Sequence, residues 1–159
     1  MTTIVGELTG GRRVARAEAQ HVPAIVGLLA DDHLGSGRER AGDDPAYASA
    51  FERIDADPHQ LLVVVLDPDD EVVGTLQLSF IAGLSRGGAL RSQIESVRVA
   101  SSQRGSGLGT TLFEWAIEYS RSHGAALVQL TTDKSRPEAK AFYERLGFVA
   151  SHEGMKLAL

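Results

Sequence analysis

Three glycines alternate through Gln103-Arg104-Gly105-Ser106-Gly107-Leu108-Gly109, just after an alternating run that ends at Val99 and just where helical periodicity begins. Glycine at such positions lets the backbone approach a ligand with no Cβ in the way, and the first amides of a helix have no acceptor inside it. The aligned peptide dipoles place partial positive charge there, and Arg104 adds a full one. This turn suits a phosphate, although a strand-to-helix turn that uses glycine only for geometry would look the same. Spacing argues against two kinds of phosphate site. A dinucleotide fingerprint G-x-G-x-x-G starting at Gly105 would need glycine at Thr110, and one starting at Gly107 would need it at Leu112. A P-loop would need Gly-Lys-Ser/Thr, and the only lysines, Lys134, Lys140 and Lys156, all lie downstream. Cysteine is absent, and His21, His33, His59, His123 and His152 show no metal-ligand spacing, so neither a thiolate nucleophile nor a metal site is expected.

The elements around the turn read as one α/β domain. Residues 1–11 read as a flexible tail before a single domain over 12–159. A short strand is expected over 12–17 and a helix over 20–32, with Val22, Ile25, Val26, Leu28 and Leu29 on one face. Residues 33–45 read as a polar loop, in which His33 could line an acceptor pocket. Asp43 and Asp44 there could attract a cation or cap the helix expected from Pro45 to about Ala56. Strands over 61–66 and 72–81 flank the turn Asp67-Pro68-Asp69-Asp70, which predicts an antiparallel hairpin. After the loop at 83–88, Leu90, Ser92, Ile94 and Ser96 alternate with Arg91, Gln93, Glu95 and Val97 before the strand closes on Val99. A helix follows to His123, stopped by Gly124; then a strand over 126–131, a helix over 137–146 stopped by Gly147, and two short strands around Glu153-Gly154. Strands separated by helices after residue 90 imply right-handed crossovers and a partly parallel sheet.

The pattern Arg104-x-x-Gly107-x-Gly109 resembles the coenzyme A pyrophosphate signature, Gln/Arg-x-x-Gly-x-Gly/Ala, of the GNAT superfamily of N-acetyltransferases. Upstream, Ile94-Glu95-Ser96-Val97-Arg98-Val99 is similar to that family's fourth strand. Downstream, Ala139-Lys140-Ala141-Phe142-Tyr143-Glu144-Arg145-Leu146-Gly147-Phe148 is similar to its second hallmark. The resemblance spans residues 90–148; the first half matches only in order of elements. It implies the GNAT fold, a mixed twisted sheet of about six or seven strands flanked by about four helices. It also implies transfer of an acetyl group from acetyl-CoA to a primary amine of a small molecule, amino acid or peptide, by direct attack in a ternary complex. A non-catalytic acyl-CoA-binding or sensing module is the alternative.

By the same resemblance, the backbone of Val97, Arg98 and Val99 would meet the pantetheine arm. The stretch Arg104, Gly105, Ser106, Gly107, Leu108, Gly109 and Thr110 would cradle the pyrophosphate. Glu95 would act as general base through water, or else pair with Arg91 or Arg98; simple alternation would put it on the face of Val97 and Val99. Tyr143 would protonate the leaving thiolate, or else be a half-buried aromatic whose hydroxyl finds a local partner. Arg136 stands where the family often has asparagine and would contact coenzyme A phosphate or cap solvent-side structure; Lys134 lies beside it.

Sixteen basic against twenty-one acidic residues give a net charge of −5. No overall positive field draws the chain to nucleic acid or an anionic membrane. No run approaches the roughly 18 apolar residues that span a bilayer, and the start lacks a signal-peptide core, so a cytoplasmic location is expected. Members of the family often dimerise, which makes a homodimer an expectation as well.

Overall fold

The computed structural model describes residues 1–32 and 34–159. Six strands form one sheet in chain order: β1 (Ile4–Leu8), β2 (Arg12–Arg16), β3 (Gln60–Leu66), β4 (Val72–Ile81), β5 (Arg91–Val99) and β6 (Leu127–Gln129). β1 to β5 pair antiparallel, and β6 lies parallel to β5. A parallel pair needs a long crossover, here supplied by α4 (Leu108–Ser122). The other helices are α1 (Val22–Ala30), α2 (Pro45–Ala56), the single turn α3 (Ser85–Gly88) and α5 (Pro137–Arg145). Among the described residues no helix is long and apolar enough to cross a membrane.

Two cores hold the layers. On one face, Val63, Val65, Leu76, Leu78 and Ile94 of the sheet meet Leu108, Leu112, Phe113 and Ala116 of α4. The spacing of Leu108, Leu112 and Ala116 puts all three on one helical stripe. On the other face, Ala15, Ala17, Val64 and Leu66 pack with Ile25 and Leu29 of α1 and Phe51 of α2. The β3–β4 hairpin closes as its turn residues predict: Asp67 Oδ1 accepts from the amides of Asp69 at 2.9 Å and Glu71 at 3.0 Å. Gly124 and Gly147, read as helix stops, both have left-handed φ of 84° and 94°.

Two expectations change. The stretch 1–11 is not a flexible tail, because Ile4–Leu8 is the edge strand β1, paired with β2 through a turn at left-handed Gly10 and Gly11. Its anchor is Trp115 of α4, whose Nε1 donates to Val5 O at 3.4 Å. The indole lies so close over Gly6 that a Cβ there would stand 2.2 Å from Nε1. Secondly, residues 148–159 contain no strand. Val149, Met155, Leu157 and Leu159 are exposed, so their alternation has no apolar face to cover, and β6, three residues long, offers only a short edge.

Candidate active site

The site is organised by one irregularity in β5. Thr75 pairs with Arg98, but Gln77 pairs with Glu95, so two steps along β4 match three along β5. The extra residue is a β-bulge, and Ser96 within it takes a left-handed φ of 55°. A one-residue insertion in a period of two reverses which side chains face which way. Glu95 therefore does not share a face with Val97 and Val99, as unbroken alternation would have it. The two valines pack against the α4 core. Glu95 stays on the α1 side with Gln93 and Arg98, where it is exposed and accepts a hydrogen bond from Gln93 Nε2 at 2.9 Å.

Beyond Gln93, β5 also loses its outer partner, since β6 pairs only with Arg91, Ser92 and Gln93. From Ile94 to Val99 that edge carries no β6 ladder, which leaves main-chain groups for a ligand to meet. Val97 O is already engaged, accepting from Arg98 Nη1 at 2.8 Å. Arg98 in turn faces the end of α1, with its Nε 3.2 Å from Asp32 Oδ2 and both side chains about four-fifths buried (20% and 18% exposed). Burial pushes the Asp32 carboxyl up, but the Gly35 amide and the charges of Arg98 and Arg136 outweigh it and hold the group below its ordinary value. The pair ties α1 to the bulge. Sequence alone pairs Arg98 with Glu95 or with the cofactor and does not single out Asp32, whose only signal is an acidic pair ending an apolar helical stripe.

The glycine turn has the conformation its residues predict. A 3-10 turn, Ser101–Gln103, leads to Gly105 and Gly107 at left-handed φ of 79° and 81°, and Gly107 caps α4. A Cβ would meet nothing within 4 Å at either, so backbone conformation and not space is what demands glycine. The amides of Leu108, Gly109 and Thr110 open the helix, before its first in-helix acceptor. Ser106 Oγ takes up only Leu108 N, at 3.4 Å. Gln103 is fixed from below by Arg12 Nη2 at 2.6 Å, and Arg104 reaches Asp31, Nη2 to O at 3.3 Å, with both side chains largely exposed.

Tyr143 on α5 is wedged among Phe113, Phe142 and Phe148, with ring centroids 5.4, 5.6 and 6.2 Å away. Desolvation raises its pKa, against the nearby positive charges of Arg136 and Arg98. The phenol therefore holds its proton at neutral pH. Its hydroxyl makes no hydrogen bond among the described residues and is not shut off from solvent. Arg136, immediately before α5, sends its charge toward Asp32 and Tyr143, whereas Lys134 is an exposed partner of Glu153 at 3.4 Å. In the first half, Asp44 is a helix cap that accepts from Ala46 N at 2.8 Å. His33 lies outside the described residues, and among those described no group of three His, Cys, Asp or Glu could hold a metal ion.

Glu95 thus faces the α1 side of a strand whose edge is unladdered, Tyr143 packs a protonated phenol against the α4-side core, and a phosphate-type turn follows the strand. Known proteins share this arrangement of elements. A solved structure described as a transcriptional regulator from Bacillus halodurans C-125 superposes with a TM-score of 0.86 and 44% identity, over 92% of this chain and 98% of that one. Glucosamine 6-phosphate N-acetyltransferase of Trypanosoma brucei brucei is 41% identical over 93 residues, 58% of this chain and 60% of that protein. Aminoalkylphosphonate N-acetyltransferase of Salmonella typhimurium is 35% identical over 82 residues, 52% of this chain and 53% of that protein. The matches thus span little more than half the length of these curated relatives. The model of the acetyltransferase (GNAT) family matches residues 23–148, a span that holds the bulge, the glycine turn and Tyr143. The chain belongs to the GNAT family of acetyltransferases.

Proposed function

We propose that this protein transfers an acetyl group from acetyl-CoA to a primary amine of a small molecule by direct attack. The observation that best supports it is the break in β5, where a bulge sets Glu95 on one face and the end of β6 leaves the edge beyond Gln93 unpaired. In this reading the thioester lies along that edge, its pantetheine against the backbone of Val97, Arg98 and Val99. The pyrophosphate sits on the turn from Arg104 to Thr110, and Arg136 adds positive charge to the cleft.

An alkylamine is mostly protonated at neutral pH, so Glu95 removes its proton through a water molecule. The free amine nitrogen attacks the thioester carbonyl, and donors along the strand edge stabilise the oxyanion that forms. The C–S bond then breaks, the thiolate takes the phenolic proton of Tyr143, the second amine proton passes from the tetrahedral nitrogen through water to the phenolate, and the amide and free coenzyme A leave. Burial suits Tyr143 to this role, because it keeps the proton available at neutral pH.

The test is release of free coenzyme A when the protein and acetyl-CoA meet a panel of amines that includes glucosamine 6-phosphate and an aminoalkylphosphonate. Turnover on any primary amine supports transfer. Calorimetric binding of acetyl-CoA with no turnover on the whole panel supports the second reading, an acyl-CoA-sensing module. That reading draws on the description of the Bacillus halodurans neighbour as a regulator.

A further inference from the structure

The face of the sheet that carries Glu95 holds groups the transfer itself leaves unused. Ser92 hydrogen-bonds Ser120 of α4 at 2.7 Å and Ile94 lies in the α4 core, so Arg91, Gln93 and Glu95 project from the opposite face. Gln93 donates to Glu95 and accepts from Gln129 Nε2 at 2.8 Å. On the neighbouring strands, Gln60 Oε1 accepts from Gln77 Nε2 at 3.0 Å and from Ser79 Oγ at 2.8 Å. Gln77 stands opposite Glu95 and Ser79 opposite Gln93, so the amides form one continuous uncharged row beside the base.

Arg91 ends that row. It is partly buried, and among the described residues its side chain makes no hydrogen bond, ion pair or ring contact. Arg98, also partly buried, has Asp32. No described residue therefore neutralises the Arg91 guanidinium, whose nitrogens stay open to an incoming group. Its planar fork of donors matches an oxyanion bidentately. Arg91 stands four positions before Glu95, which is about 13 Å along the strand, and the amide row lies between them.

We infer, resting on the transfer reading above, that the acceptor is an amine that also carries an oxyanion group, phosphate or carboxylate. Arg91 holds the oxyanion, Glu95 faces the amine, and Gln93 with its neighbours meets hydroxyl or other neutral polar groups between. Arg91 is thus a specificity residue at the far end of the acceptor from the bond that forms.

Calorimetry on the protein saturated with coenzyme A tests this without requiring turnover. The probes are two matched pairs, glucosamine 6-phosphate with glucosamine and 4-aminobutyrate with butylamine. The wild-type complex should prefer the anionic member of at least one pair by about 10- to 100-fold, as charge-assisted bonds provide. A preference confined to the first pair identifies phosphate, and one confined to the second identifies carboxylate. Arg91→Ala should erase the preference and Arg91→Lys restore part of it. Affinity for coenzyme A and thermal stability should hold in both variants, because Arg91 has no partner to lose among the described residues. No preference in the wild type, or a preference that survives Arg91→Ala, overturns the inference. Anionic amines that bind through Arg91 yet release no coenzyme A would overturn the transfer reading and leave the oxyanion site standing.

Discussion

β3 and β5 lie two strands apart in one sheet and are built on opposite terms. From Leu61 to Leu66 β3 is apolar throughout, every residue but Leu62 is buried, and both edges are laddered, to β2 and to β4. In β5 only Ser92 and Ile94 are buried, Ser96 is left-handed, and the partner strand stops at Gln93. Full burial and full pairing leave β3 with nothing to offer a ligand. Missing pairs and strain leave β5 with free main chain, an exposed carboxylate and a guanidinium without a partner among the described residues. Such features persist only where neighbouring structure over-determines them, and here β3 and β4 carry that duty.

The comparison can be broken by exchanging the two kinds of damage. Leu61→Ala, in the β3 core, should cost about 2–5 kcal/mol of stability, read by denaturant or thermal unfolding. Glu95→Gln in β5 removes a charge from an exposed site with a single side-chain bond, so its stability should stay within about 0.5 kcal/mol of wild type. Its turnover should fall about 10- to 1,000-fold if the carboxylate is the base. A well-folded Glu95→Gln enzyme with wild-type turnover would remove Glu95 from the chemistry.

The contrast between the strands also explains what can be read from sequence. β3 is legible because burial on both faces demands an unbroken apolar run, and the glycine turn is legible because glycine alone takes the φ of Gly105 and Gly107 without steric cost. The family motifs mark Glu95 and Tyr143 through their resemblance alone. The bulge at Ser96 is invisible, since serine has no preference that announces a left-handed conformation inside an alternating strand, and so simple alternation misplaces the facing of Glu95. Asp32 escapes notice because its partner Arg98 is far away in the chain. β1 reads as a tail because Gly6 interrupts its pattern, and the reason for that glycine, the indole of Trp115, lies on a distant helix. The C-terminal alternation misleads in the opposite sense, because a pattern of apolar residues makes a strand only where an edge and a face receive it.

Tyr143→Phe should give the next effect, a fall in turnover of about 10- to 100-fold, at the lower end of general-acid contributions. Desolvation raises the phenol's folded pKa above its unfolded value, so the neutral form is the one favoured by folding. That contribution is fully present below the ordinary phenol value of about 10 and is lost as pH rises through the raised folded value. Wild-type turnover should therefore hold its alkaline limb beyond about pH 10, where a free phenol would already be half ionised. In Tyr143→Phe that limb should disappear from the pH–rate profile, and an identical profile in both proteins would assign the proton to another donor.

The smallest effect belongs to Ser96→Gly in the bulge. A left-handed φ costs a non-glycine residue roughly 1–2 kcal/mol, which glycine avoids while losing about 0.5–1 kcal/mol of backbone entropy. Ser96→Gly should therefore shift stability by no more than about 1.5 kcal/mol and keep turnover, because the bulge and the facing of Glu95 survive. Ser96→Val asks a β-branched side chain to adopt the same φ, which costs stability either way, so activity is what separates the outcomes. If the strand yields, the new valine relaxes toward extended backbone, the register offset is lost, and Glu95 turns from the α1 side toward the α4 core. The variant would then lose activity as severely as Glu95→Gln and lose stability as well, because a carboxylate enters the core that Ile94 leaves. If the sheet holds, stability drops and activity survives. Only the first outcome would show that the offset in β5, beyond the identity of residue 95, is what aims the base.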